Sequence, residues 1–78
     1  MKGYIVKLRN GKLRYHLITP YGGTIAESME DTKLMLSFGV KWLKRVSFRE
    51  YSSKRKINWW YSKAGRVNRG RIVGVFHV

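Results

Sequence analysis

The stretch that decides the fold runs from Gly3 to Thr19 and reads GYIVKLRNGKLRYHLIT. Two β-prone runs, 3–8 and 12–19, flank the dipeptide Asn10-Gly11. Asn-Gly between two such runs is the strongest short signal for a β-hairpin, because both residues tolerate the positive φ of a type I′ turn. The sequence therefore predicts two antiparallel strands joined at this dipeptide.

Alternation along the hairpin predicts one apolar face and one basic face, since the side-chain period of a strand is two. The apolar face would hold Tyr4, Val6, Leu8, Leu13, Tyr15 and Leu17. The opposite face would hold Lys7, Arg9, Lys12, Arg14 and His16. A basic two-stranded ribbon of this kind could enter the major groove of a duplex. The alternative is a solvated sheet face.

The residues after the hairpin predict a single helix. Pro20 to Gly23 is typical of a loop, and 24–27 fits either the end of a strand or the start of the helix. Ser28 is a suitable N-cap for a helix over 29–38, with acids in its first turn and Gly39 as its stop.

Beyond Gly39 the pattern predicts three strands, at 40–48, 57–62 and 71–78. In the first of these strands, Lys44 falls at a position where the alternation requires an apolar residue. A bulge near Lys44, or a later start of the strand, would resolve this conflict. A basic loop over 52–56 and turns near 64–65 and 68–70 would connect the strands. The order β-β-α-β-β-β predicts one α+β domain over 1–78, a small antiparallel sheet with one helix packed on one face.

Composition excludes several classes of protein. The 78 residues allow one small domain, and 44% hydrophobic and 14% aromatic content is too apolar for a disordered tail. The absence of cysteine excludes disulfides and thiolate metal sites, and two His with four acids predict no metal and no cofactor. No apolar run exceeds three residues, and Lys7 interrupts the N-terminal one, so we expect neither a spanning helix nor a signal peptide but a cytoplasmic protein.

The charge is large and unevenly distributed. Seventeen Lys and Arg oppose four acids, a formal +13, of which residues 41–78 carry +10 with Glu50 as their only acid. Repulsion among so many like charges opposes folding. The charge therefore indicates a polyanionic partner and not a role in solubility alone. The residues expected at a nucleic-acid interface are basic or aromatic: Lys7, Arg9, Lys12, Arg14, Arg49, Lys54, Arg55, Lys56, Trp60, Tyr61, Lys63, Arg66, Arg69 and Arg71.

The stretch 49–71 mixes cations that neutralise phosphates with rings that stack on bases. In a strand, Trp59 and Trp60 would point to opposite faces, so we expect one in the core and the other exposed, together with Asn58 or Tyr61. The alternative is that both indoles are buried. The segment 66–71 places three arginines among glycines, which suits either close approach to a ligand or a solvated turn.

Two further features bear on partners and catalysis. The C-terminal run RIVGVFHV is apolar, so it should be central in the sheet or paired with another chain, and a homodimer through strand contacts is expected. His16 and His77 could serve as acid and base of a metal-free ribonuclease only if the fold brought them together. No spacing suggests that it does, and an enzyme is not expected.

The sequence thus favours a small non-catalytic nucleic-acid-binding protein, with RNA preferred over DNA because aromatic residues accompany the basic ones. The main alternative is a protein-binding inhibitor or antitoxin-like factor with an acidic or ribonucleoprotein partner. In size and charge the chain resembles the small accessory proteins that phages encode against host defence or gene expression. A ribosome-associated protein is a further alternative, and a membrane partner is not expected.

Overall fold

The computed structural model describes residues 1–64 and 69–78 of the chain. Its sheet has four strands, β1 (Lys2–Leu8), β2 (Leu13–Thr19), β3 (Gly22–Gly23) and β4 (Gly70–His77). They lie in the order β3-β2-β1-β4, and every pair is antiparallel. This confirms the predicted α+β class with an antiparallel sheet.

The hairpin of β1 and β2 forms, but its turn is one residue longer than predicted. Gly11 has φ +88°, whereas Asn10 is not in the positive-φ region, so the turn is not type I′. The Leu8 N–H donates to the Lys12 carbonyl at 2.8 Å, and the Gly11 N–H donates to the Leu8 carbonyl at 2.9 Å. The loop is therefore the three residues 9–11.

That extra residue changes which side chains share a face. Tyr4 pairs with His16 and Val6 with Arg14, so these four residues lie on one face of the sheet. Leu13, Tyr15 and Leu17 lie on the other face, opposite Lys7, Ile5 and Gly3 respectively. The predicted basic ribbon does not form, because a shift of one residue moves every side chain of β2 to the opposite face.

Helix α1 (Met29–Ser37) agrees with the sequence prediction. The Ser28 Oγ accepts a hydrogen bond from the Asp31 N–H at 3.1 Å, and Glu30 and Asp31 occupy the first turn. Gly39 has φ +91° and ends the helix as expected. Residues 24–27 belong neither to a strand nor to the helix, and among them Ala26 forms an isolated bridge with Tyr15.

The two predicted strands at 40–48 and 57–62 are wrong, because residues 40–46 and 57–62 are helical and Phe48 forms only an isolated bridge with Gly23. Helix α2 (Val40–Val46) buries Leu43, and helix α3 (Lys54–Trp59) continues into a π-helical turn (Trp60–Ala64). A short 3₁₀ turn (Arg49–Tyr51) connects them.

In helical geometry Lys44 no longer conflicts with the strand alternation. Residues 54–56 of the predicted basic loop form the first turn of α3, which Ser53 caps through the Lys56 N–H at 3.2 Å.

The main core lies between β1 and the α3 region. Tyr4, Val6 and Leu8 pack against Ile57 and Tyr61, which are four residues apart and project from one side of the helical segment. On the other face of the sheet Leu17 and Phe76 are buried. Apolar side chains are therefore buried on both faces of the sheet.

Strand β4 lies at one edge of the sheet, with β1 as its neighbour. Of the two predicted placements of the C-terminal run, the central one is therefore wrong. The predicted turn residues Gly65 and Asn68 lie outside the described part of the chain. None of the helices described here is both long and apolar enough to cross a membrane.

Candidate nucleic-acid interface

A strongly basic groove lies where the ends of β1 and β4 meet. Lys7 and Arg71 are cross-strand partners, so their side chains leave the same face of the sheet. Arg9 and Arg69 complete the groove, and the Arg9 N–H donates to the Arg69 carbonyl at 2.9 Å. All four cations are exposed, and the groove has a volume of about 320 Å³.

The electrostatics of this groove are unbalanced. No acid occurs among the described residues that line it, and none of the four cations makes an ion pair within residues 1–64 and 69–78. Like charges directly opposite each other on neighbouring strands destabilise a sheet. An anion between Lys7 and Arg71 would remove that cost, and phosphate suits the forked guanidinium of arginine.

Gly70 allows the two strands to come together at this point. A Cβ atom at position 70 would lie 2.9 Å from the Lys7 carbonyl oxygen and 2.9 Å from the Val6 Cγ1 atom. Any larger residue would push β4 away from β1. The glycine thus holds Arg69 and Arg71 close to Lys7.

A second basic surface lies on α3. Lys54, Arg55 and Lys56 are exposed along its first turn. Trp59 and Trp60 follow, with exposed fractions of 50% and 37% and ring centroids 5.1 Å apart in an edge-to-face arrangement. The prediction that one of these indoles is in the core is wrong, and so is the alternative that both are. Ile57 and Tyr61 turn inward because the segment is a helix and not a strand.

Tyr61 and His16 are buried, although the sequence predicted that both could be exposed. Tyr61 is 8% exposed and His16 is fully buried, and the Tyr61 Oη and His16 Nε2 atoms are hydrogen-bonded at 2.7 Å. A ring in this position cannot stack on a base. The helical turn carries Tyr61 inward, and the hairpin register carries His16 onto the core face.

The buried pair has shifted acidities. The pKa of His16 is lowered to about 4, mainly by burial; the Thr24 backbone opposes the shift, and the charge of Arg14 adds to it to the smallest extent. Burial raises the pKa of Tyr61 to about 12, with Tyr51 adding to the shift and Arg14 opposing it. Since His16 is inaccessible, it cannot act with the exposed His77 on a substrate phosphate.

Arg14 is also less accessible to a ligand than the sequence predicted. The hairpin register places it on the core face, where its side chain is 22% exposed and its Nη2 atom lies 3.8 Å from the Glu27 carboxylate. Of the other predicted site residues, Lys12, Arg49 and Lys63 are exposed but do not line the β1–β4 groove. Arg66 lies outside the described residues.

Sequence reasoning missed a second aromatic and basic groove, which lies at the junction of α1 and α2. It is lined by Phe38, Lys41, Trp42 and Arg45. Reading 40–48 as a strand separated these residues onto two faces. Helical spacing would have joined Lys41, Trp42 and Arg45 had the segment been assigned as a helix, whereas Phe38 precedes the break at Gly39 and is placed by the packing of α1 against α2.

Within the described ranges, no three His, Cys, Asp or Glu side chains come together as a metal site requires. Comparisons with protein-family models, with curated proteins and with solved structures find no significant match to this chain. The geometry and charge of these surfaces are therefore what indicates a function.

Proposed function

We propose that this chain is a small non-catalytic nucleic-acid-binding protein that prefers RNA to DNA. The observation that carries the proposal is the β1–β4 groove, where Lys7 faces Arg71 across the sheet and two further arginines add to the same charge. Lys and Arg that neutralise phosphates release counterions from a nucleic acid, which supplies most of the affinity of such proteins.

The second support is the combination of cations and rings on α3. Trp60 follows Lys56 by four residues and Trp59 follows Arg55 by four, so each exposed indole lies beside a cation on the helix surface. Stacking of a base on an aromatic ring contributes about 1–3 kcal/mol and requires an unpaired base. This favours single-stranded nucleic acid over a regular duplex.

The preference for RNA also has support from the helices. The longest α-helix of the described residues is α1, with nine residues, and its first turn carries Glu30 and Asp31. A helix that reads the major groove presents its N-terminal residues to base edges and phosphates, which an acidic first turn opposes. Sequence-specific RNA recognition, in contrast, targets unpaired bases in loops and ends.

The direct test measures fluorescence anisotropy with single-stranded RNA, double-stranded RNA and duplex DNA over a salt series. We expect the tightest binding to single-stranded RNA, with log K falling linearly as log salt rises. Arg71→Gln should weaken binding to all three ligands and reduce the salt slope by about 1. Trp60→Ala should weaken binding to single-stranded RNA alone.

The matched control for the charge variant is Lys33→Gln, which removes an exposed cation from the acidic helix α1. An equal loss in the Lys33 and Arg71 variants would mean that net charge alone accounts for binding. Binding that disappears near physiological salt for every ligand would contradict the proposal.

A second candidate function is the protein-binding inhibitor or antitoxin-like factor in the cytoplasm of a bacterium or an infected cell. It is favoured by the exposed apolar side chains Leu34 and Val40, with exposed fractions of 53% and 59%, on α1 and α2. A pull-down with and without nuclease separates the two functions. A partner retained after nuclease treatment supports the inhibitor, and loss of every partner supports nucleic-acid binding.

We also propose that two copies pair along β4. The support is the position of β4 at an edge of the sheet, with Val73 and Val75 exposed at 47% and 49%. Light scattering of the wild type and of Val75→Lys tests this assembly. A dimer that the lysine converts to a monomer supports it, and a wild-type monomer at high concentration contradicts it.

A further inference from the structure

The groove between α1 and α2 combines two exposed rings with two cations. The Phe38 and Trp42 rings meet edge to face, with centroids 5.4 Å apart, and are 57% and 38% exposed. The groove has a volume of about 370 Å³, at the lower end of the ~300–1,000 Å³ typical of small-ligand clefts. A flat ring of a single nucleobase is a suitable size for it.

Lys41 and Arg45 lie one helical turn apart on α2 and line the same groove. Like charges at this spacing weaken a helix slightly, and neither side chain forms an ion pair within residues 1–64 and 69–78. Their placement beside aromatic rings is the arrangement that single-strand binders use, with rings for bases and cations for the backbone.

The charged residues around the groove favour one orientation of a bound nucleotide. A neighbouring cleft of about 330 Å³ shares Phe38 and Trp42, but Glu27 and Asp31 line it instead of Lys41 and Arg45. A phosphate would be repelled from that acidic cleft and attracted to the side with Lys41. The charges therefore orient a nucleotide with its phosphates toward α2.

We infer that this groove binds an unpaired nucleobase of single-stranded RNA, which stacks on one of the Phe38 and Trp42 rings and contacts the other with its edge, with the adjoining phosphates at Lys41 and Arg45. This inference rests on the proposed nucleic-acid binding and adds a second contact site to it, on residues that the sequence did not predict. A protein side chain would also suit the rings, but the paired cations favour a polyanion.

The experiment compares two ligands of equal charge, a single-stranded RNA of about 16 nucleotides and an abasic strand with the same number of phosphates. The groove variants are Trp42→Ala and Phe38→Ala, and Trp42→Phe is the conservative one. Val40→Ala is the matched control, because Val40 is exposed on the same helix and does not line the groove. Circular dichroism verifies that each variant is folded.

We expect Trp42→Ala to weaken binding of the base-bearing RNA by about 5- to 150-fold and to leave the abasic strand unaffected. Phe38→Ala, whose ring is the more exposed, should act in the same direction, which provides a test if the Trp42 variant is unstable. Trp42→Phe should restore most of the affinity, and Val40→Ala should match the wild type.

If Trp42→Ala and Phe38→Ala weaken binding of both strands equally, or of neither strand, the inference is overturned and the proposed function is unaffected. A wild type that binds neither strand contradicts the proposed function and the inference together. Retained RNA affinity in Trp42→Ala, with loss of a protein partner in a nuclease-treated pull-down, overturns the inference and assigns the groove to protein binding.

Discussion

Lys7 of β1 and Arg71 of β4 are cross-strand partners, separated by most of the chain and placed on one face of the sheet. No described residue in their groove offers a negative charge. Repulsion between the two cations should lower the stability of the fold, whereas the proposed function requires both of them for binding of an anion. A substitution that removes one cation should therefore raise stability and weaken binding, and both effects can be measured.

Replacing Lys7 with Gln should raise the free energy of unfolding by about 0.2–1 kcal/mol, because it relieves the repulsion with Arg71. The same change should weaken nucleic-acid binding and lower its salt slope by about 1. Urea denaturation and anisotropy measure the two effects, and Lys33→Gln is the control. A variant that is less stable than the wild type would contradict the repulsion argument.

Acidification should destabilise the fold through His16. Its pKa is about 4 in the folded state against 6.5 for the unfolded chain, so the unfolded state binds the proton first as pH falls. The stabilisation is complete above pH 6.5 and is lost progressively down to about pH 4. From pH 7.5 to pH 5.0 we expect a loss of about 2 kcal/mol in the free energy of unfolding.

Urea denaturation at these two pH values measures that loss. His77→Asn is the matched control, because it removes an exposed histidine from β4 and leaves the buried His16–Tyr61 pair intact. Equal stability of the wild type at the two pH values would show that His16 is not buried as a neutral ring.

Replacing Tyr61 with Phe should destabilise the fold by about 1–3 kcal/mol, because the buried Nε2 atom of His16 loses its hydrogen-bond partner. The His16 Nδ1 atom already lacks a partner among the described residues, so the ring would have none. Thermal or urea unfolding measures the change, with the exposed Tyr21→Phe as control. Undiminished stability would contradict the assignment of Tyr61 to the core.

Replacing Gly11 with Ala should cost about 1–2 kcal/mol, because Gly11 has φ +88° and an L residue there is strained. No atom lies within 4 Å of a Cβ built at Gly11, so the cost is conformational and not steric. Gly11→Asn should cost less, since Asn tolerates this region best among other residues. Urea denaturation of both variants checks the order, and an Ala variant as stable as the wild type would contradict the three-residue loop.

Short-range signals in the sequence were sufficient for some elements. Ser28 caps α1 and Gly39 ends it, and both act through backbone geometry within a few residues. The Asn10-Gly11 dipeptide likewise identified the hairpin. It did not determine the register, because two- and three-residue loops both accept these residues, and the difference reverses every side chain of β2.

The helices α2 and α3 were not predictable from their own residues. Each is seven residues or shorter, so its stability depends on packing and not on propensity. Ile57 and Tyr61 become core residues because β1 offers Tyr4, Val6 and Leu8 opposite them. A strand pattern and a short helical pattern compete in such segments, and the tertiary contacts decide between them.

The sequence by itself determined the α+β class, the strongly positive charge and the cations available for binding. Charge and turn chemistry are properties of single residues or close neighbours, so they can be read without the fold. Only the tertiary structure decided that Lys7 meets Arg71, that Tyr61 and His16 are buried together, and that Phe38 lies beside Trp42. These relationships depend on strand register and helix packing, which are set by the burial of apolar surface across distant parts of the chain.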